Sequence, residues 1–331
     1  MQLDAILEVA IGLVFVWLVI SVATMEVQNR IGNALNWRAK YLEKSILGML
    51  KDPYLVEKFY AHPLIVALTS KDKSGKPKRP DFIPNSMFAK VACEIMLNAG
   101  VEEKNTPMET MSFDHIKSSL SALAKKNPYL MSLNNYLMPD IKKLADNVEN
   151  VEVAVAEYRQ NTEIWFDEIM VQTGEWYKMR AQQIAFLIGL AIAVFMNVDT
   201  IQVAQKLWQE PTTRAVLIAQ AQKAAQTNEL EIANKINFPI GWTTTPLATQ
   251  TCVWLDMIDY QIVIRSAGQC RAITGLPPFN DGWGILVKLF GYFLSAAAAA
   301  QGAPFWFDVL NKLANLREKQ QQQMDNNLAV G

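Results

Sequence analysis

Few side chains in this sequence are equipped for chemistry. Its only imidazoles are His62 and His115, and its only thiols are Cys93, Cys252 and Cys270. Two histidines and three scattered cysteines lack the short ligand spacings of a structural zinc site. No GxSxG, HExxH or GxxxxGKS/T run is present. His62 precedes Pro63 and His115 follows Asp114, and neither lies in a motif that would make it a general base. No catalytic, cofactor-binding or metal-binding set follows from the residues, and the chain reads more as a non-enzyme than as an enzyme. Cys252 and Cys270 share a segment. They are bridged if that segment faces an oxidising compartment, and free buried thiols are the equal alternative.

A second group of residues matters because of where it falls. Asn197, Asp199, Lys288 and Asp308 lie in or beside apolar runs. An ionisable residue held within a bilayer marks an ion or proton path. The competing expectation is that these residues are interfacial. Lys288 then snorkels outward on its aliphatic stem, and Asp308 lies just past a break at Gly302 and Pro304. The second and third apolar segments run antiparallel, which sets Asp199 and Asp308 near opposite faces and apart. The interfacial expectation is preferred, because the runs between these residues hold almost no polar side chains. Small residues recur at helical spacing in the same segments: Gly189 and Ala193 in one, Ser295, Ala299 and Gly302 in the other. Such steps let two helices approach closely. Packing between these two spans is preferred to oligomerisation, although a homo-oligomer is possible.

The elements that position these residues are helices, and the predicted class is all-α: about three transmembrane helices, a helical cytoplasmic domain and a smaller external helical domain. Residues 1–25 form an N-terminal transmembrane anchor. From Val9 to Met25 the run is apolar apart from Ser21 and Thr24, long enough for a hydrocarbon core of roughly 30 Å. Without a preceding Lys or Arg it does not read as a secretory signal, so an uncleaved anchor is expected. Residues 26–180 form the soluble domain. It opens on an amphipathic helix that ends near Pro53, carries a charged loop over 71–81, and has further helices over Asn85–Asn98, Phe113–Lys126 and Tyr129–Met138. From Asp140 to about Leu207 no proline interrupts the pattern, which predicts one unbroken helix. Its apolar part supplies the second transmembrane segment, 181–204, marginal in length for spanning. Residues 205–282 form the smaller external domain, with a polar helix over Thr212–Ala233 and a mixed segment over Val253–Ile264. Residues 283–310 give the third transmembrane helix and an interfacial turn, and 311–331 a polar tail, disordered from Lys319.

Charge sets orientation and excludes one class of partner. Lys and Arg number 31 and Asp and Glu 32, for a net charge of −1, so no global basic field exists to attract nucleic acid. The basic residues after the first and third segments favour an external N-terminus, a cytoplasmic 26–180, an external 205–282 and a cytoplasmic tail. The predicted location is the inner (cytoplasmic) membrane, multi-pass, with the lipid bilayer and other proteins of a membrane-associated assembly as partners and no cofactor.

Several strings in order resemble a family of multi-pass bacterial membrane proteins of unassigned function: HPLI (62–65), RPDFIP (79–84), EWYKMRAQ (175–182), NVDTIQVAQKLW (197–208), PIGW (239–242) and GAPFWFD (302–308). The resemblance implies membrane insertion and brings no catalytic residues. The leading functional expectation is a non-enzymatic anchor or scaffold that presents the cytoplasmic domain to a partner assembly. The alternatives are a component of an oligomeric channel or transporter and, behind it, a membrane-bound enzyme. What separates the first two is whether Asp199, Lys288 or Asp308 serves a polar path.

Overall fold

The computed structural model describes all residues except 1, 72–74, 76, 99–106, 108–109, 139–148, 228–240, 247–254, 259–260, 267–268 and 331. The fold is predominantly helical. Three helices are long and apolar enough to cross a membrane, within Asp4–Leu35, Val153–Phe195 and Gly282–Ala300. The chain is a membrane protein of the all-α class. It divides into two compact units: an inserted unit, Gly32–Met179, and a split unit formed by Met1–Ile31 with Arg180–Gly331.

The inserted unit takes the end of α1 (Gln2–Leu35), then α2 (Trp37–Leu50), α3 (Pro53–Ala61), α4 (Pro63–Val66), α5 (Asn85–Asn98), α6 (Phe113–Lys126), α7 (Pro128–Leu137) and the first part of α8 (Glu149–Phe195). Its boundaries follow local chemistry. Lys51 turns left-handed after α2, at φ 48°. The Asp52 carboxylate then accepts from the Tyr54 N–H at 2.9 Å, with Pro53 in the first turn, where its missing N–H costs nothing. Asn127 caps α7 in the same way, accepting from Leu130 N–H at 3.2 Å. The core is aromatic and aliphatic: Phe88 stacks on Phe166 with centroids 4.0 Å apart, and Phe59, Ile65 and Leu97 are fully buried beside it. Within the loop expected over 71–81, β1 (Ser70–Lys71) and β2 (Pro77–Lys78) pair as a short antiparallel ladder. Arg79 closes it with ion pairs to Glu43 and Glu57.

The split unit corrects the sequence reading in three places. The helix expected to run unbroken to Leu207 stops at Phe195 and restarts as α9 (Thr200–Gln209), followed by α10 (Pro211–Thr227). The segment expected to be a helical domain carries a four-stranded antiparallel sheet, ordered β3 (Thr243–Pro246), β6 (Gln269–Thr274), β5 (Gln261–Ser266), β4 (Leu255–Ile258). Ile262, Val263 and Ile264 are β-branched neighbours that favour a pleated ribbon over a helix, and Val263 is in register with Ala272. The tail expected to be disordered is helical: after α11 (Gly282–Ala300), α12 runs from Ala303 to Val330. Its glutamine run is a good helix former, and no Gly or Pro interrupts it after Pro304. The core joins Ile11, Phe15 and Leu18 of α1 to Leu207, Leu217, Ala221, Trp306 and Leu310.

Candidate functional site

The site is built where α8 ends. Asn197 adopts a left-handed conformation, φ 51°. Its N–H bonds the Val194 carbonyl at 3.2 Å and the Val198 N–H bonds the Ala193 carbonyl at 2.7 Å, the paired closure of a Schellman C-terminus with Asn in the usual glycine position. Two residues later Asp199 caps α9, its Oδ1 accepting from the N–H groups of Ile201 and Gln202 at 2.9 and 3.2 Å. Four residues thus carry the chain from one helix to the next, with an amide and a carboxylate fixed in the gap.

The other carboxylate oxygen meets a cation. Lys288 Nζ lies 3.2 Å from Asp199 Oδ2, and the two side chains are 8% and 5% exposed. Lys288 therefore does not reach outward to an interface as its long stem allowed; α11 turns it inward, where Gln202 Oε1 also accepts from it at 3.1 Å. Gly291 makes the approach possible, since a Cβ there would collide with the Asp199 carboxylate. Further polar groups line the same gap. Tyr292 donates to Asn197 Oδ1 at 2.7 Å, and Asn197 Nδ2 donates to the Gly241 carbonyl at 3.0 Å. Ser295 bonds Thr200 Oγ1 at 2.8 Å, and Trp17 Nε1 donates to the same threonine at 3.1 Å. The expectation of an apolar interior with almost no polar side chains is overturned by this network, and so is the expectation that Lys288 snorkels outward.

Contacts along α1 fix the level of the break. Glu8 binds Arg214 and Arg317, each at 3.1 Å. A Cβ at Gly12 would lie 3.1 Å from Leu207. Trp17 meets Thr200 and, at 4.7 Å between centroids, Trp306. Ser21 donates to the Ala298 carbonyl at 3.4 Å, and Gln28 to the Ala181 carbonyl at 3.0 Å. The α8–break–α9 path thus descends antiparallel to α1, and so does α12. Trp17 is the midpoint of the apolar run Val9–Met25, so the break lies level with the middle of that run. The apolar end of α8, Ala181–Phe195, covers only about 22 Å at ~1.5 Å per residue. The Glu8–Arg317 pair sets residues 8 and 317 at one level along α1.

The remaining singled-out residues are distributed as follows. Gly189 faces Ala299, whose Cβ would be 2.8 Å from a Cβ at that glycine, while Ala193 and Ser295 are fully buried. Gly302 has φ 86° and lets the chain turn from α11 into α12. Asp308 is exposed on α12 and takes no part in the Asp199 cluster. Cys270 is disulfide-bonded; Cys252 lies outside the described residues. His62 caps α4 and faces Glu94 at 3.6 Å, and His115 bonds Asn98 at 3.1 Å, both structural placements. Among the described residues no cluster of His, Cys, Asp and Glu is arranged to hold a metal ion.

Sequence reasoning named Asn197, Asp199 and Lys288 without joining them, noted Gln202 only as a neighbour of Asn197, and missed Thr200, Tyr292 and Trp17. The available signal was the Asn-Val-Asp-Thr string, an Asn that can end a helix and an Asp that can start one. No family model, no curated protein and no solved structure matches this chain.

Proposed function

We propose that the chain is a component of a proton-translocating membrane assembly, with Asp199 and Lys288 as the titrating pair of its path. The observation that carries this reading is an ammonium and a carboxylate buried together at a helix break, level with the middle of the apolar run of α1. Taking two charges out of water costs several kcal/mol per ion, and an anchor has no use for them. Irregular backbone at bilayer depth is tolerated where it is enclosed by protein or lines a hydrated cavity, and interrupted helices of this kind form the ion sites of many transporters. In this reading α8 and α9 together make one interrupted crossing, α1 and α11 make two more, and α12 returns the chain along α1 to the side of Glu8. The protein is then multi-pass in the cytoplasmic membrane, with 26–180 inside. The disulfide at Cys270 supports an oxidising, external location for 205–282.

The geometry favours a proton over a metal cation. Asp199 Oδ1 is committed to two backbone N–H groups and Oδ2 to the Lys288 ammonium, which leaves the carboxylate closed to a metal ion. Moving one proton from Nζ to Oδ2 across 3.2 Å turns the ion pair into two neutral groups. The hydroxyls of Tyr292, Thr200 and Ser295 can hand a proton on, while the amides of Gln202 and Asn197 hold Lys288 and Tyr292 in place. The inserted unit, with its own core, supports a second role: presenting that unit to a partner assembly, as an anchor would.

Reconstitution separates the two roles. In liposomes with a potassium diffusion potential and an enclosed pH dye, the protein is expected to admit protons, and Asp199→Asn to reduce the rate at least tenfold. Proton entry no faster than in protein-free liposomes would leave only the scaffold reading.

A further inference from the structure

α12 has two faces at different risk in a bilayer. Ala303, Trp306 and Leu310 are buried in the core shared with α1 and α10, and Ala314 is buried as well. On the other side Pro304, Asp308, Lys312, Asn315 and Lys319 are exposed, three to four residues apart, and form one stripe. Trp306 is level with Trp17 and Arg317 with Glu8. Asp308 and Lys312 therefore run beside the stretch of α1 from Glu8 to Trp17, most of which is apolar. A carboxylate and an ammonium at that depth do not face lipid chains; they face water or protein. Among the described residues neither enters an ion pair.

We propose that this stripe is a contact face between copies of the chain. The charge pattern identifies the occupant. An acid and a base one helical turn apart make the stripe self-complementary: with two α12 helices side by side, Asp308 of each copy reaches Lys312 of the other. A two-fold axis along the membrane normal makes the two diagonal pairs equivalent, each crossing about one helical turn in depth, so both charges are satisfied reciprocally. Asn315 lies next along the stripe, where two amides bond each other across the axis. The inference depends on the depth of α12 and not on proton movement through the Asp199 site.

The test uses the full chain in native membranes and in mild detergent. Asn315→Cys is expected to give a disulfide-linked dimer on mild oxidation, while Leu289→Cys, on the exposed apolar face of α11, stays monomeric. Asp308→Lys should lower the dimer fraction at least tenfold by sedimentation at unchanged thermal unfolding, and Asp308→Lys with Lys312→Asp should restore it. Three results would overturn the proposal: a folded Asn315→Cys protein that remains monomeric, a cross-link to a chain of another mass, or association unaffected by Asp308→Lys. Each is read as mass, so failure here leaves the proton reading standing.

Discussion

The inserted unit and the split unit bury different things. At the centre of the inserted unit Phe88 stacks on Phe166, and the Cys93 thiol, fully buried, has its pKa pushed up to about 12 by desolvation. Arg79 and its two glutamates stay toward the surface. Both interiors hold amides and hydroxyls, Asn134 and Thr162 in the inserted unit and Asn197 and Ser295 in the split unit, but the split unit adds a buried ammonium and carboxylate. The glycines repeat the contrast. Gly48 and Gly174 in the inserted unit meet nothing within 4 Å, whereas Gly189 and Gly291 are pressed against Ala299 and Asp199. A core without buried charges explains why a unit folds. A core that keeps charges at a desolvation cost, and spends glycines to bring them together, points to what the unit does.

The largest expected effects set the two interiors side by side. Phe88→Ala empties a packed aromatic site and should cost about 3–5 kcal/mol. Lys288→Met leaves Asp199 buried without its partner and should cost a similar ~3–5 kcal/mol. The distinction lies in rescue: a second change, Asp199→Asn, should recover most of the Lys288→Met loss in detergent thermal unfolding, and no change at Asp199 should help Phe88→Ala. Rescue of both, or of neither, would erase the comparison.

Smaller effects sharpen it. Gly291→Ala and Gly189→Ala overpack close contacts and should each destabilise by about 1–3 kcal/mol. Gly48→Ala and Gly174→Ala lie within helices with open space around them, and should each stabilise by roughly 0.5–1 kcal/mol. Opposite signs in the two units, measured by denaturant unfolding, are the expected pattern. The smallest effect is on pH dependence. The Cys93 thiol is raised from 9.0 to about 12, so the folded state keeps it neutral where the unfolded chain ionises. Its contribution is fully present below pH 9 and is lost as pH rises through 12. Cys93→Ala should flatten the alkaline decline of stability, and native Cys93 should resist alkylation at pH 8 until the protein unfolds.

Much of the helical scaffold was legible in the sequence. The predicted spans Asn85–Asn98 and Phe113–Lys126 coincide with α5 and α6, because stop signals and apolar periodicity are local. The site was legible only as separate residues. Asn197 and Asp199 could be flagged by position, but with no Gly or Pro between Gly189 and Pro211 the pattern read as continuous helix. The left-handed turn depends on Asn tolerating a conformation that most residues avoid. Lys288 is 89 positions from Asp199, and its stem could equally have carried it outward. Whether a long side chain snorkels or turns inward depends on which helix lies beside it, and that is set by tertiary packing. The sheet over 243–274 was misread for a related reason: short β-branched runs carry too little periodicity to separate strand from helix.

The proposed role in proton movement separates the buried pair from a purely structural ion pair. The direct measurement is proton entry into liposomes containing Asp199→Asn/Lys288→Gln, a variant that removes both charges together and keeps hydrogen-bonding groups at both positions. Replacing a buried pair as a unit is often neutral or stabilising, so its thermal unfolding should match the unaltered protein. The expected result is a folded protein whose proton entry has fallen to that of protein-free liposomes. A folded double variant that admits protons at the original rate would contradict it.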